Sequence, residues 1–197
     1  ENDFPAAAAR YRDLIGRTEE TRLAAELSDH LVDLERLVRA REEMVQRLKS
    51  DSGPEIRVRG TTVQVLRPLE KDSVATGVVV SMNGEVGVPW KNVSVRGMAT
   101  LFTWAFPDAE GLVLRGVYLF LFKADFQRDP PLEQLCHASL QKALKRAPER
   151  IQEVNAILGR GLGVTSATGF VFHGGRFMTP ERRDRLAALA TARKQIA

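Results

Sequence analysis

The chain changes its hydrophobic period once, sharply, at Asp51-Ser52-Gly53-Pro54, and that change constrains the fold more than any other feature. Before it, apolar residues recur at alternating steps of four and three: Leu27, Leu31, Leu34, Val38, Val45 and Leu48, with Arg41 at the remaining position of the same stripe. That spacing places them on one face of a helix. After it, Val and Thr alternate with other residues at period two, in Ile56 and Val58, Val63 and Val65, Val78 and Val80, and Val86 and Val88. A helical stripe cannot serve as a strand, so a helical unit must be followed by a sheet.

The helical unit, residues 1–53, reads as two helices. Gly16 ends the first, and Thr18 followed by Glu19 and Glu20 predicts the N-cap of the second. A second helix of about thirty residues would be about 45 Å long, so its stripe needs a cover. An antiparallel hairpin is favoured over a coiled-coil dimer through the helix 19–50, because the seam runs for barely three heptads.

Residues 54–90 read as a small antiparallel unit of four strands. Asn83-Gly84 between Val80 and Val86 predicts a type I′ turn, and Gly60 a turn between the first two strands. Residues 91–160 read as helical. Ser94 caps a helix to about Ala105, and a helix from about Glu110 to Phe126 is apolar on nearly every face, which predicts a central, buried element. Leu132–Ala147 and Glu149–Leu158 are two more helices, divided at Pro148. Gly159, Gly161 and Gly163 predict a flexible connection into residues 161–197. A short hairpin follows, Phe170-Val171-Phe172 and Arg176-Phe177 around His173-Gly174-Gly175, then a terminal helix with Thr179 at its N-cap and Pro180 at its first position. The class is α+β: helical hairpin, small four-stranded antiparallel unit, and a helical domain with a short hairpin.

Ala138-Ser-Leu-Gln-Lys-Ala143-Leu-Lys-Arg-Ala-Pro148 resembles the second helix of a tetratricopeptide repeat, and Leu114-Arg-Gly116-Val-Tyr118 the start of the first. No second unit occurs at the repeat period, so the resemblance implies one helix pair and no solenoid. The order of helical hairpin, sheet ending in Val88-Pro89-Trp90, helix pair and Gly169-Phe-Val-Phe-His-Gly-Gly-Arg-Phe-Met-Thr-Pro-Glu181 resembles non-catalytic regions of large bacterial multidomain, kinase-associated proteins. It implies a scaffold or sensing region. None of the kinase signatures is present in the sequence.

The chemistry-bearing residues point away from catalysis. Cys136 and His137 are adjacent, and neighbours on a helix project about 100° apart, so this imidazole cannot deprotonate this thiol. His173-Gly174 resembles the His-Gly of caspase-like proteases, yet in that family the nucleophilic Cys lies downstream, whereas Cys136 lies upstream. Gly159-Arg-Gly161-Leu-Gly163 follows a helix and lacks a Gly-Lys-Ser/Thr sequel, so it does not read as a phosphate loop. Three His and one Cys are scattered without metal-ligand spacing, and no cofactor motif appears. Trp90 is expected to pack the sheet onto the next helix, and Trp104 to anchor that helix in the core.

The formal charge of +4 is uneven: residues 1–100 carry 15 Lys+Arg against 16 Asp+Glu, and residues 101–197 carry 14 against 9. Arg182, Arg183 and Arg185, with Arg193 and Lys194 and with Lys142, Lys145 and Arg146, form the basic surface that would serve a nucleic-acid-binding accessory domain. No aromatic platform for bases accompanies them. One Cys excludes an intrachain disulfide, the longest apolar stretch is too short to span a bilayer, and no compartment follows. A chain starting at Glu1 is expected to be an excised domain or a processed chain. The sequence thus predicts a non-enzymatic protein-interaction or scaffold domain, docking a protein partner near Tyr118, Phe122 and Leu140 or on an exposed β edge.

Overall fold

The computed structural model describes residues 3–196 except 59 and 73, with no side-chain description for 192–196. Its elements are α1 (Phe4–Arg17), α2 (Thr21–Ser50), β1 (Glu55–Val58), β2 (Thr61–Lys71), β3 (Val74–Ser81), β4 (Glu85–Pro89), α3 (Val95–Ala105), α4 (Ala109–Leu121), α5 (Pro130–Arg146), α6 (Ile151–Leu162), β5 (Val171–His173), β6 (Arg176–Met178) and α7 (Pro180–Ile196). The α+β class holds, and the switch from helix to sheet falls at the predicted break.

α1 packs along the N-terminal half of α2, joined by the Arg12–Glu35 ion pair at 2.8 Å. The cap of α2 differs from expectation. Thr18 terminates α1, its hydroxyl donating to the Leu14 carbonyl at 2.7 Å, and α2 begins at Thr21 without a side-chain cap bond. Farther along α2 the buried residues are Leu34, Leu37, Ala40, Met44, Val45 and Leu48. The buried face is therefore wider than the predicted stripe, taking in Leu37, Ala40 and Met44, while Val38 is only half-buried. Arg41 occupies its seam position by laying its guanidinium over the rings of Phe4, at 5.5 Å, and Trp90, at 5.9 Å.

The sheet is an antiparallel meander in the order β1-β2-β3-β4. Ile56 pairs with Val63, Val65 with Val80, and Val78 with Val88, and all six side chains are buried. β2 shifts register between Val65 and Arg67. This bulge lets Val65 and Pro68 share the buried face at a spacing of three instead of two. Gly60 turns β1 into β2 at φ +88°. The β3–β4 loop has three residues rather than two, Met82-Asn83-Gly84 between paired Ser81 and Glu85, with positive φ at Asn83 and Gly84 as predicted.

Residues 111–120 of α4 are buried apart from half-buried Arg115, and the helix ends at Leu121, not Phe126, followed by a single 3-10 turn, Lys123–Asp125. Its contacts pair Gly116 with Leu140 and Phe120 with His137, so α4 and α5 run in opposite senses. α6 extends four residues past the predicted Leu158, so Gly159 and Gly161 are helical and not a flexible connection. Gly163 caps the helix in the left-handed conformation, φ +67°. Gly161 is helical because the helix passes closely over Phe120: a Cβ there would lie 2.5 Å from that ring. Trp90 is buried, its indole N–H donating to the Ala75 carbonyl at 3.0 Å. Trp104 is only half-buried, because Arg47, 5.0 Å from its ring, takes the place of further core on that side.

A single hydrophobic cluster runs from Phe4 through the sheet and α3–α6 to Phe177, so all four sequence segments contribute to one core. Outside it, Glu110 accepts from Arg36 at 2.8 Å and Arg150 at 2.7 Å, while Glu153 accepts from Arg36 at 2.6 Å, which ties α2, α4 and α6 together. Among the described residues no helix is long and apolar enough to cross a membrane.

Candidate functional site

The predicted docking residues lie mostly in the interior. Tyr118 and Leu140 have no exposed surface, and Phe122 is half-buried. Tyr118 is enclosed by the rings of Phe4 at 5.9 Å, Phe102 at 5.6 Å and Phe122 at 5.0 Å. Leu140 fills the space above Gly116. The start of α1 covers the groove expected there, because Phe4 is part of the core.

Cys136 and His137 are likewise buried in the packing. The Cys136 thiol is buried, donates to the Gly116 carbonyl at 3.4 Å, and is pushed up by burial, so it stays protonated. Native Cys136 is expected to react with a disulfide reagent about 10³-fold more slowly than in the unfolded chain, since labelling must await local opening; stopped-flow thiol titration measures this ratio. His137 is buried between Phe120 and Phe177, and its Nδ1 accepts the Phe177 amide at 3.2 Å. Burial pushes it down to about 4, with the Glu133 carboxylate opposing and Arg176 assisting. This neutral imidazole pins the β5–β6 hairpin to α5. His173 sits at the turn of that hairpin, where Gly174 and Gly175 supply positive φ.

Of the basic residues, Arg183 pairs with Asp184 at 2.7 Å, and Arg182 and Arg185 are exposed on α7. The side chains of Arg193 and Lys194 lie outside the described residues. Among the described residues no group of His, Cys, Asp and Glu could hold a metal ion.

What the fold does assemble is a cleft of about 1160 Å³ between the N-terminal half of α2 and α6. Along α2, the face that carries Leu37, Met44 and Leu48 into the core continues toward the N-terminus as Arg22, Glu26, Asp29, His30 and Asp33. Residues three and four apart share a face, so core face and cleft wall are one stripe whose chemistry changes at Asp33. Asp33 is itself buried and accepts both guanidinium bonds of Arg160, at 2.7 and 2.9 Å, fixing α2 to α6 at the cleft. The opposite wall is α6 and the loop after it: Asn155, Ala156, Gly159, Val164, Ser166 and Phe170. Asn155 holds this loop by accepting the Phe170 amide at 3.2 Å, and Ala156 and Gly159 leave the wall open. Lys123 reaches in and donates to the Gly161 carbonyl at 3.2 Å. Asp29 makes no ion pair among the described residues.

The apolar stripe read from the sequence, with Leu27 and Leu31, runs beside this wall and not along it. The signal for the wall was the spacing of Glu26, Asp29 and His30, which continues the face of Leu37, Met44 and Leu48 next to Leu27 and Leu31. Arg160 joins Asp33 across 127 positions, a separation no local pattern carries. Comparison of the chain with protein-family models, curated proteins and solved structures finds no match.

Proposed function

We propose that this chain is a non-catalytic interaction domain that docks a segment of a partner protein in the cleft between α2 and α6. The observation that supports it is the change of chemistry along one face of α2. A face that only needed to stabilise the fold would stay apolar to the end of its contact, whereas here it becomes ionisable over an open cleft. Opposed charges, an amide and small residues suit a peptide segment that brings side chains of complementary charge and small apolar groups. The burial of Cys136 and His137 in packing roles accords with the non-catalytic reading. A scaffold region of a larger multidomain protein, of the kind the sequence resembles, is the setting in which such a domain would work.

Panning a displayed random-peptide library on the immobilised domain tests this. The expected result is enrichment of peptides binding with Kd of about 10 μM, weakened about tenfold or more by the double substitution Glu26→Lys and Asp29→Lys. Absence of any enriched peptide, together with salt-dependent binding of DNA that requires Arg182 and Arg185, would overturn the reading in favour of a nucleic-acid accessory role.

A further inference from the structure

α7 is a 17-residue helix whose described side chains from Glu181 to Thr191 are exposed, apart from half-buried Arg183. Among the described residues, β5 is the only element against which it makes more than marginal contact. A helix of this length gains little stability without a packed face, and this one leaves Leu186 and Leu189 43% and 50% exposed. At about 100° per residue, Arg182, Arg185, Leu186 and Leu189 fall within an arc of about 100°. Glu181 and Asp184 lie outside that arc. One face of α7 thus combines two leucines with two arginines and no acid, the composition of a helix that seats in an acid-rimmed, partly apolar groove.

This same chain holds a groove whose acids lie on one wall. The α2 wall of the cleft carries Glu26 and Asp29, and the opposite wall carries Ala156 and Val164, the latter 44% exposed. Of the cations that line the cleft, Arg160 is neutralised by Asp33 and Arg22 by Glu26 across an exposed pair that a second cation can share, while Lys123 keeps its charge on the α6 side, where it donates to the Gly161 carbonyl. A nucleic acid would satisfy the two arginines but leave both leucines against phosphate.

We infer that α7 of one copy seats in the α2–α6 cleft of a second copy, Arg182 and Arg185 toward Glu26 and Asp29, and Leu186 and Leu189 toward Val164 and Ala156. Exchanged reciprocally, the contact closes a two-fold dimer instead of propagating. The inference rests on the cleft being a docking site and names its occupant.

Sedimentation equilibrium over a range of concentrations reads it out. The mass is expected to rise from 21.9 kDa toward twice that value. Each of two variants, R182E with R185E and E26R with D29R, is expected to weaken self-association about tenfold or more, and an equimolar mixture of the two to restore it, since both contacts are then of opposite charge. All the substituted side chains are exposed, so each variant retains the fold, which circular dichroism checks. A wild-type chain that stays monomeric while library peptides still bind overturns the α7 contact and leaves the docking cleft standing; a monomer that binds no peptide overturns both. Dimerisation that either variant leaves intact, or that the mixture fails to restore, also overturns the contact.

Discussion

Replacing Gly161 by Ala is expected to destabilise the protein by about 2 kcal/mol, although Ala is the better helix former by about 1 kcal/mol. Gly161 lies inside α6, and a Cβ there would come within 2.5 to 2.6 Å of three atoms of the Phe120 ring. That ring is itself buried between α4 and its neighbours, so it cannot swing aside without opening the core. Two residues earlier, Gly159→Ala is expected to have the opposite sign, a gain of up to about 1 kcal/mol. The nearest atom to its added Cβ is the Val164 carbonyl at 3.4 Å, an ordinary contact. Urea denaturation of both variants measures the pair. Two neutral or two stabilising results would mean that α6 does not continue past Leu158 against Phe120.

The second large effect is acid sensitivity centred on His137. Its pKa in the fold is depressed to about 4 from an ordinary 6.5, so the unfolded chain binds the extra proton first. Stability from this group is complete above about pH 6.5 and is lost as the pH falls through about 4, by about 3 kcal/mol in all. The groups facing it are Glu133 on α5, whose carboxylate lies 3.9 Å from Nε2, Arg176 and Phe177 on β6, and Phe120 on α4. Protonation also removes the acceptor for the Phe177 amide, so the β5–β6 hairpin is the first element expected to detach. The His137→Gln variant supplies an amide oxygen for Phe177 but does not titrate. Its denaturation midpoints between pH 7 and 4 are expected to fall less steeply than those of the wild type. Parallel slopes would show that His137 carries no such charge penalty.

What the sequence made legible follows from which forces act locally. The break at Asp51–Pro54, the Gly60 turn, the Ser94 and Thr179 caps and the Gly174-Gly175 turn were all predictable because each depends on a few adjacent residues. α4 was predicted to be central, since a helix apolar on nearly every side has no other stable place. The errors share a different cause. Gly159 and Gly161 read as a linker because propensity counts glycine against a helix, and the Phe120 ring that favours glycine at 161 is some forty residues away in sequence. Thr18 read as a cap for α2, but the same hydroxyl serves α1 by bonding backward. Tyr118 and Leu140 read as a groove because nothing local shows that Phe4 closes over one and Gly116 admits the other. The cleft was not read from the sequence: the acids on the inner side of α2 stand next to Leu27 and Leu31, which drew the stripe beside them, and the other wall needed α6 in place.

The most direct test of the docking account is amide chemical-shift mapping of the labelled domain on titration with a peptide selected from the library. The account predicts that the perturbed amides cluster at Glu26–His30 on α2 and at Asn155–Ser166 on α6 and the loop beyond it, with saturation at one peptide per chain. Perturbations concentrated on the β4 edge or along α5, with the α2–α6 amides unmoved, would contradict it.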